Sequence, residues 1–211
     1  MKTIEERITK KTNLIENDSL SFFEGHAAQQ SHNVYAIFYN FLKEIKPKRI
    51  LEIGTALGGF TMFLKIISDE LNIDVNILSY DITPRPWYDD MKKNGIDVRV
   101  ENIFSDDWKS VKDEVIEFIS QEGVTLVLCD GGWKIGEFNI LSDFIKKGDY
   151  IMAHDYSVTQ DYFQENIYGN IWNWCEITEN DIMEASIRNN LVPYAQDEFS
   201  KAVWVCKIKE K

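Results

Sequence analysis

The sequence predicts an α/β fold with one doubly wound, mostly parallel sheet. Short continuous apolar runs alternate with segments whose apolar residues recur at helical spacing, and the clearest runs are apolar throughout. Strands that alternate with helices form βαβ units, because parallel neighbours need a crossover connection. A length of 211 residues and a hydrophobic fraction of 44% suit a single sizeable core.

The N-terminal segment is polar and irregular over residues 1–25, so we expect a loose lead-in or a short helix there. We divide the chain into a lead-in at residues 1–32 and one domain at residues 33–211. An apolar stripe at residues 34–45 predicts the first helix of this domain, and Pro47 follows where that helix has to end.

The next elements repeat one pattern, a buried strand followed by an amphipathic helix. Residues 49–54 are an apolar run stopped by a glycine, which is typical of a buried strand, and residues 60–71 carry a helical stripe. A second strand at residues 75–81 ends on an acid, and a third strand is expected at residues 97–100. The stripe at residues 111–119 predicts the helix that follows.

The second half of the chain continues this alternation. Residues 124–130 are the most hydrophobic strand and again end on an acid. Residues 138–145 carry a weaker helical stripe, closed by two lysines and a glycine as helix C-termini prefer. A fifth strand is expected at residues 150–155, before an aromatic stretch that runs through Trp174. The remaining predicted elements are a helix near 180–189 and strands near 191–194 and 201–207.

Composition and charge exclude several classes of function. A net charge of -12 disfavours nucleic acid as the main partner, because such binding depends on Lys and Arg. The N-terminus has no apolar signal region, and no run approaches the roughly 20 apolar residues that cross a bilayer. Three widely spaced cysteines indicate neither a disulfide framework nor a zinc site. We expect a cytoplasmic protein without a membrane partner, and a homo-oligomer is left open.

Acidic residues and glycines follow the predicted parallel strands at the points where those strands end. These positions are Glu52 to Gly54, Asp81, Asp130 and the pair His154-Asp155. In doubly wound sheets, ligands bind outside the carboxyl ends of the strands. The sequence therefore predicts a ligand site built from these residues.

The glycine turn after the first strand has the context of a nucleotide-binding loop. Gly54 to Gly59 lie between a strand and a helix, and Asp81 ends the next strand, where a carboxylate can accept hydrogen bonds from ribose hydroxyls. Ala56 replaces the glycine that admits a pyrophosphate, which counts against NAD and favours an adenosine ligand without phosphates. The alternatives are that Gly54 to Gly59 only form a tight turn and that Asp81 is only a solvated strand end.

These residues, in this order, resemble the motif series of class I S-adenosylmethionine-dependent methyltransferases. The resemblance runs from about Gly25 to Tyr156 and is carried by the following motifs: Glu52-x-Gly54-x-x-x-Gly58-Gly59, Asp81, Glu101-Asn102 and Asp130. The stretches at 129–137 and 147–156, with Gly25-His-Ala-Ala-Gln-Gln30, are similar to the branch of cephalosporin-hydroxylase-like, rhamnosyl and macrolide-sugar O-methyltransferases.

The resemblance implies a seven-stranded sheet whose last strand is antiparallel, and it implies a role for each matching residue. Glu52 would hold the turn, and the residues expected along the methionine part of S-adenosylmethionine are Gly54, Thr55 and Gly58. Asp81 would bind the ribose, and the residues beside the adenine would be Asn102 and Ile103. The residues that border the cofactor near its methyl group would be Asp130 and Trp133.

Methyl transfer to an alcohol needs a base, a metal or both, because an alcohol is a poor nucleophile. Asp130 and Asp155 end neighbouring strands, and in the resembling branch a carboxylate and an acidic pair at these positions hold magnesium. His154 stands where the first acid of that pair is common. The predicted metal ligands are therefore Asp130, Asp155 and His154, and the predicted catalytic residues are His154 and Asp130. Backbone capping by Asp130 or Asp155 and a purely orienting His154 are the alternatives.

The predicted function is S-adenosylmethionine-dependent O-methylation of a small hydroxylated acceptor, such as a sugar or a natural product, with magnesium assistance left open. Trp172 and Trp174 lie where an acceptor would sit, although a partner interface would use the same residues. Methylation of nucleic-acid bases is disfavoured, because Gly-Gly-Trp follows the fourth strand in place of the Asp/Asn-Pro-Pro-aromatic motif of the enzymes that methylate such bases. The alternatives are an NAD-dependent oxidoreductase and a non-catalytic module that retains the cofactor fold.

Overall fold

A seven-stranded sheet forms the centre of the molecule in the computed structural model, which describes residues 2–10, 20–105 and 109–211. The strands, in chain order, are β1 (Ile8–Lys10), β2 (Ser21–Phe23), β3 (His26–Ala28), β4 (Arg49–Ile53), β5 (Asn76–Asp81), β6 (Asp97–Val100), β7 (Thr125–Cys129), β8 (Tyr150–Ala153), β9 (Tyr156–Ser157), β10 (Ile177–Thr178), β11 (Leu191–Pro193) and β12 (Val205–Lys209). The order in the main sheet is β11-β12-β8-β7-β4-β5-β6. Its pairs are parallel except for those that β12 makes with β8 and β11. The predicted fold class, including the antiparallel last strand, is confirmed.

Helices cover both faces of this sheet, and each face has its own hydrophobic cluster. The helices, in chain order, are α1 (Ile4–Arg7), α2 (Val34–Ile45), α3 (Gly59–Glu70), α4 (Tyr88–Lys93), α5 (Asp113–Ser120), α6 (Lys134–Leu141), α7 (Gln160–Tyr162), α8 (Glu179–Arg188) and α9 (Gln196–Phe199). Residues of α2, α3 and α4 pack on one face, and residues of α5, α6 and α8 pack on the other. Because both faces are covered, every residue of β4, β7 and β8 is buried.

The N-terminal segment differs from the expected loose lead-in. After the short helix α1, the strands β1, β2 and β3 form a small antiparallel sheet. Its last strand packs against the start of α3 so closely that a Cβ on Gly59 would lie 2.1 Å from the Ala27 carbonyl oxygen. Three-residue strands are too short to show a reliable apolar alternation, so the sequence pattern missed them. Residues 1 and 11–19 lie outside the described residues, and the division at residue 32 stays a prediction.

Two element boundaries differ from the predicted ones by several residues, and the short helices α4, α7 and α9 were not predicted. Helix α6 begins at Lys134 instead of residue 138, because the Glu137 carboxylate accepts hydrogen bonds from the backbone N–H groups of Gly131 and Trp133 and so caps its start. The last strand begins at Val205, after a short 3-10 turn at Ser200–Ala202. Helix α4 has only six residues and was missed.

No helix in the three described ranges has both the length and the apolar character needed to cross a membrane. The three cysteines are free thiols in this structure.

Candidate active site

The turn after β4 brings the ends of two neighbouring strands into contact. Gly54 has a φ of +95°, and a Cβ at this position would lie 2.2 Å from the backbone oxygen of Asp130. Only glycine allows this backbone conformation and this close approach together. The Gly54 N–H donates to the Tyr80 carbonyl of β5 at 2.8 Å. The turn therefore joins the carboxyl ends of β4, β5 and β7 at one place.

Glu52 lies beneath this turn, as expected of the residue that holds it. Its Oε2 accepts hydrogen bonds from the Thr61 hydroxyl at 2.6 Å and from the Ser79 hydroxyl at 2.5 Å. Glu52 is 2% exposed, and burial raises the pKa of its carboxyl group to about 7. Through these bonds one side chain connects β4 with β5 and α3.

A cavity of about 370 Å³ opens beside the end of β5. Asp81 is on its wall, where its two carboxylate oxygens accept the backbone N–H groups of Ala56 and Thr83, each at 2.7 Å. Asn102 Oδ1 accepts the Phe104 N–H at 3.0 Å and so shapes the opposite loop. The other predicted residues on this wall are Gly54, Ile103, Asp130 and Trp133. The cavity thus gathers the residues predicted for the ribose and the adenine.

Trp133 lines this first cavity, and its place near the methyl group of the cofactor stays a prediction. Its ring packs edge-on against Phe104 with centroids 5.8 Å apart, and 40% of the residue is exposed. The Glu137 carboxylate accepts the backbone N–H groups of Gly131 and Trp133 and so holds the loop from which Trp133 reaches this cavity. Asp130, by contrast, lines cavities on both sides of the turn.

A second cavity, of about 260 Å³, lies over the ends of β4, β7 and β8. It shares Gly54, Ala56 and Asp130 with the first cavity, so the two meet at the glycine turn. The predicted site residues on its wall are Glu52, Gly54, Thr55, Gly58, Asp130, His154 and Asp155. Trp172 and Trp174 complete one side, and Gln29 and Gln30 complete another. All the predicted site residues therefore lie along two adjoining cavities.

Asp130, His154 and Asp155 form a tight cluster at the end of β7 and β8. Their potential ligand atoms all lie within 4.8 Å of one another. His154 Nδ1 donates to Asp130 Oδ1 at 3.1 Å and lies 3.4 Å from Asp155 Oδ1. His154 Nε2 is buried and has no hydrogen-bond partner in the part of the chain that the structure describes. The imidazole thus directs Nδ1 to the carboxylates, and its Nε2 stays buried.

Lys134 also belongs to this cluster, although the sequence patterns did not single it out. Its Nζ lies 2.9 Å from Asp155 Oδ2, 2.9 Å from Glu176 Oε2 and 3.0 Å from the Gly131 carbonyl oxygen. Asp130 Oδ1 is 3.7 Å away. The four-residue spacing from Asp130 at a helix start was the available signal. The contact with Glu176 could not be anticipated from spacing.

Gln30 and Trp204 anchor the cluster from opposite ends of the chain. Gln30 Nε2 donates to Asp130 Oδ2 at 2.7 Å, and Gln30 Oε1 accepts the Trp204 indole N–H at 3.0 Å. On the other side, Trp172 donates its indole N–H to Asp155 Oδ1 at 2.5 Å. Trp172 is only 2% exposed, so it supports Asp155 and offers no open aromatic face.

The charges of the cluster shift the pKa values of its members. Burial lowers the pKa of His154, but the negative charges of Asp130 and Asp155 outweigh burial and raise it above its ordinary value. Burial raises the pKa of Asp155, but the charges of His154 and Lys134 outweigh this and lower it. Burial likewise lowers the pKa of Lys134, and the surrounding carboxylates raise it on balance. Lys134 is therefore an ammonium cation, held beside an ionised Asp155.

Comparison with known proteins agrees with this geometry. An apo structure of CmcI matches with a TM-score of 0.63 and 15% identity, over 90% of this chain and 76% of that one. A CmcI structure described with Mg and SAM matches with a TM-score of 0.59 and 15% identity, over 89% of this chain and 75% of that one. An O-methyltransferase family protein from Burkholderia thailandensis matches with a TM-score of 0.52 and 8% identity, over 84% of this chain and 57% of that one. At these identities the structures show a shared fold.

Sequence comparison gives the family. No curated protein matches the chain significantly. The family model described as rhamnosyl O-methyltransferase/CmcI matches residues 18–200, a range that contains the glycine turn, Asp81, Asp130 and the pair at the end of β8. The chain therefore belongs to the rhamnosyl O-methyltransferase/CmcI family, which confirms the prediction of a class I S-adenosylmethionine-dependent methyltransferase.

Proposed function

We propose that the protein methylates a hydroxyl group of a small acceptor, such as a sugar or a sugar-like natural product. One observation carries the proposal: a cavity that begins at Asp81 adjoins a second cavity that ends on Asp130, His154 and Asp155. The first is lined by the residues expected to bind an adenosine, and the second has carboxylates that can receive a proton. The family description, which names a rhamnosyl O-methyltransferase, supports a hydroxylated acceptor.

The residues along both cavities fit S-adenosylmethionine better than a dinucleotide. Asp81 retains free lone pairs for ribose hydroxyls beyond the bonds that it accepts from Ala56 and Thr83. Ala56, with a φ of +46°, stands on the wall of both cavities where a glycine would admit a diphosphate. When bound, S-adenosylmethionine supplies a methyl group on a sulfonium, which needs only a nucleophile aligned with the breaking S–CH₃ bond. This fit disfavours the NAD-dependent alternative.

We assign the acceptance of the acceptor proton to Asp130. Asp130 lines the second cavity together with His154, but His154 uses Nδ1 toward the carboxylates and its Nε2 is buried. As the new O–CH₃ bond forms and the S–CH₃ bond breaks, the hydroxyl becomes acidic and its proton passes to Asp130. The electron pair of the broken bond stays on sulfur. His154 then positions Asp130 through the bond from Nδ1, and its predicted role as the base gives way to this positioning role.

The polar wall of the second cavity supports an acceptor that carries several hydroxyl groups. Gln29, Gln30 and Glu176 lie on this wall with Trp174 beside them. Amides and carboxylates can bind hydroxyl groups, and an indole face suits the apolar face of a sugar ring. We therefore favour a sugar-like acceptor over a flat aromatic one.

The resemblance suggested that magnesium assists the reaction. Whether Mg²⁺ can bind depends on the side-chain atoms at the ends of β7 and β8. Asp130, His154 and Asp155 converge, but Lys134 Nζ lies among their oxygen atoms. A histidine that donates from Nδ1 to Asp130 and buries Nε2 is also a poor ligand for a cation that prefers oxygen. The residues in this arrangement do not fit Mg²⁺, so no step of the proposed reaction passes through a metal.

Thermal denaturation with nucleoside ligands tests the proposal first. S-adenosylhomocysteine should raise the Tm of the protein, because only the folded state has the cavity that binds it, and NAD should not. Turnover would then be followed as the release of S-adenosylhomocysteine in the presence of small sugars and sugar conjugates. Asp130→Asn should abolish turnover and retain S-adenosylhomocysteine binding. Stabilisation by NAD alone would contradict the proposed function, and full turnover by Asp130→Asn would contradict the assignment of Asp130 as the proton acceptor.

A further inference from the structure

Lys134 holds a position in the active site that a divalent cation would need. Its Nζ lies between the two strand-end carboxylates, 2.9 Å from Asp155 Oδ2 and 3.7 Å from Asp130 Oδ1. A Mg²⁺ ion bound to these two oxygens at its usual ~2.1 Å would occupy the space that the ammonium group fills. The ammonium and the metal are therefore mutually exclusive at this place.

The ammonium group is fully bonded where it lies. Its three N–H groups have three acceptors, namely Asp155 Oδ2, Glu176 Oε2 and the carbonyl oxygen of Gly131. The Lys134 side chain is 7% exposed, so leaving these acceptors would cost the bonds without full hydration in return. A metal would have to displace a buried, fully paired cation.

The other carboxylate oxygens are also occupied. Asp155 Oδ1 accepts the Trp172 indole N–H, and Asp130 Oδ2 accepts the Gln30 amide. His154 Nδ1 bonds to Asp130 Oδ1. Each oxygen of both aspartates thus has a nitrogen donor or the Lys134 ammonium close to it. This arrangement satisfies the two negative charges entirely with protein groups.

We infer that Lys134 takes the place of the divalent cation in this active site, so that the methyl transfer is independent of metal. The inference deepens the proposed function and rests on it. Lys134 does not touch the acceptor in this arrangement, because its N–H groups are used within the cluster, and it acts as a positioning residue. It fixes Asp155 and Asp130 at the cavity wall and joins the start of α6 to Glu176.

Metal binding provides a direct test, with Mn²⁺ as the probe and its electron paramagnetic resonance signal as the readout. We expect the wild-type protein to leave the signal of free Mn²⁺ unchanged at millimolar concentration. Lys134→Met removes the charge and keeps much of the length of the side chain, and it should tighten Mn²⁺ binding by about 10-fold or more. Lys43→Met, at an exposed position on α2, is the matched control and should behave as the wild type.

A second measurement separates this inference from the proposed function. The affinity of wild-type protein for S-adenosylhomocysteine, and its turnover, should be the same in EDTA and in Mg²⁺. Stoichiometric Mn²⁺ binding by the wild type, or loss of turnover in EDTA, would overturn the inference and leave the methyltransferase proposal intact. A wild type that binds no S-adenosylhomocysteine would instead overturn the proposed function.

The outcome for the variants completes the test. If Lys134→Met folds and still binds no Mn²⁺, the lysine is not what excludes the metal and the inference is wrong. If Lys134→Met does not fold, Lys134→Arg keeps the positive charge and should also leave the Mn²⁺ signal unchanged. Mn²⁺ binding by Lys134→Arg would contradict a role that depends on the charge.

Discussion

Glu52 shows at the scale of one residue how the site constrains the stability of the fold. Its buried carboxyl group has a pKa of about 7, against an ordinary value of 4.5, because burial disfavours the charged form. The folded state therefore binds a proton more tightly than the unfolded state. The stability that this provides is fully present below pH 4.5 and is lost as the pH rises through about 7.

Glu52→Gln should consequently stabilise the protein at alkaline pH. The amide carries no charge, and its oxygen can still accept the hydroxyl groups of Thr61 and Ser79. At pH 8 the gain in the free energy of unfolding should be on the order of 3 kcal/mol, and it should vanish near pH 4.5. Urea unfolding at a series of pH values measures this. Glu117→Gln, at an exposed position, is the control. An equal gain in the free energy of unfolding of Glu52→Gln at pH 8 and at pH 4.5 would refute the explanation.

Asp81 offers the sharpest residue-scale test of the cofactor site. Asp81→Ala should weaken S-adenosylhomocysteine binding by about 1–3 kcal/mol, because ribose hydroxyls would lose their acceptor in a partly buried cavity. Isothermal titration calorimetry measures the change. Asp74→Ala, whose side chain is 99% exposed in the wild type, should bind as the wild type does. An unchanged affinity for Asp81→Ala would remove this residue from the site.

Residues that follow a strand end could be anticipated from the sequence, and residues that arrive from a distant element could not. Asp81, Asp130 and Asp155 were found because parallel strands end at one edge of a sheet. Gln30 and Lys134 were given no role, although both contact the cluster, because their partners lie on other elements. Chain spacing carries no information about such contacts.

At the scale of elements, the packing of the N-terminal sheet on α3 depends on one small residue. A Cβ added to Gly59 would lie 2.1 Å from the Ala27 carbonyl oxygen, and backbone on both sides limits relaxation. Gly59→Ala should therefore destabilise the fold by about 1–3 kcal/mol, as overpacking does. Thermal or urea unfolding checks this against Gly132→Ala, where an added Cβ meets nothing within 4 Å. Equal stability of the two variants would contradict the packing that we describe.

The elements that the sequence predicted well are those with long apolar patterns. Helix α2 was placed at its observed bounds, and the strands β4, β5 and β7 were found within a residue or two. The N-terminal strands were missed because short strands with polar neighbours do not show a period. Helix α6 was placed late because its start is set by the Glu137 cap, not by an apolar residue.

At the scale of the whole molecule, a net charge of -12 opposes the compact state. Like charges on a folded surface repel, and salt screens them over a shorter distance as its concentration rises. Raising NaCl from about 20 mM to about 200 mM shortens the Debye length severalfold and should raise the Tm. We expect an increase of about 2–4 °C, which corresponds to roughly 1 kcal/mol for a chain of this size. Differential scanning calorimetry at constant pH measures it, and a falling Tm would show that attractive ion pairs dominate.

The hydrogen bonds of Gln30 tie the candidate site to the docking of β12 in the sheet. Gln30 reaches Asp130 while it is held by Trp204, and Trp204 directly precedes β12, which is inserted between β8 and β11. When β12 is not docked, the edge of β8 is unpaired and Gln30 lacks the bond from Trp204 that orients it toward Asp130. Displacement of this one strand should therefore disturb the hydrogen bonding of Asp130 as well as the sheet, which makes the candidate site sensitive to the stability of a distant edge.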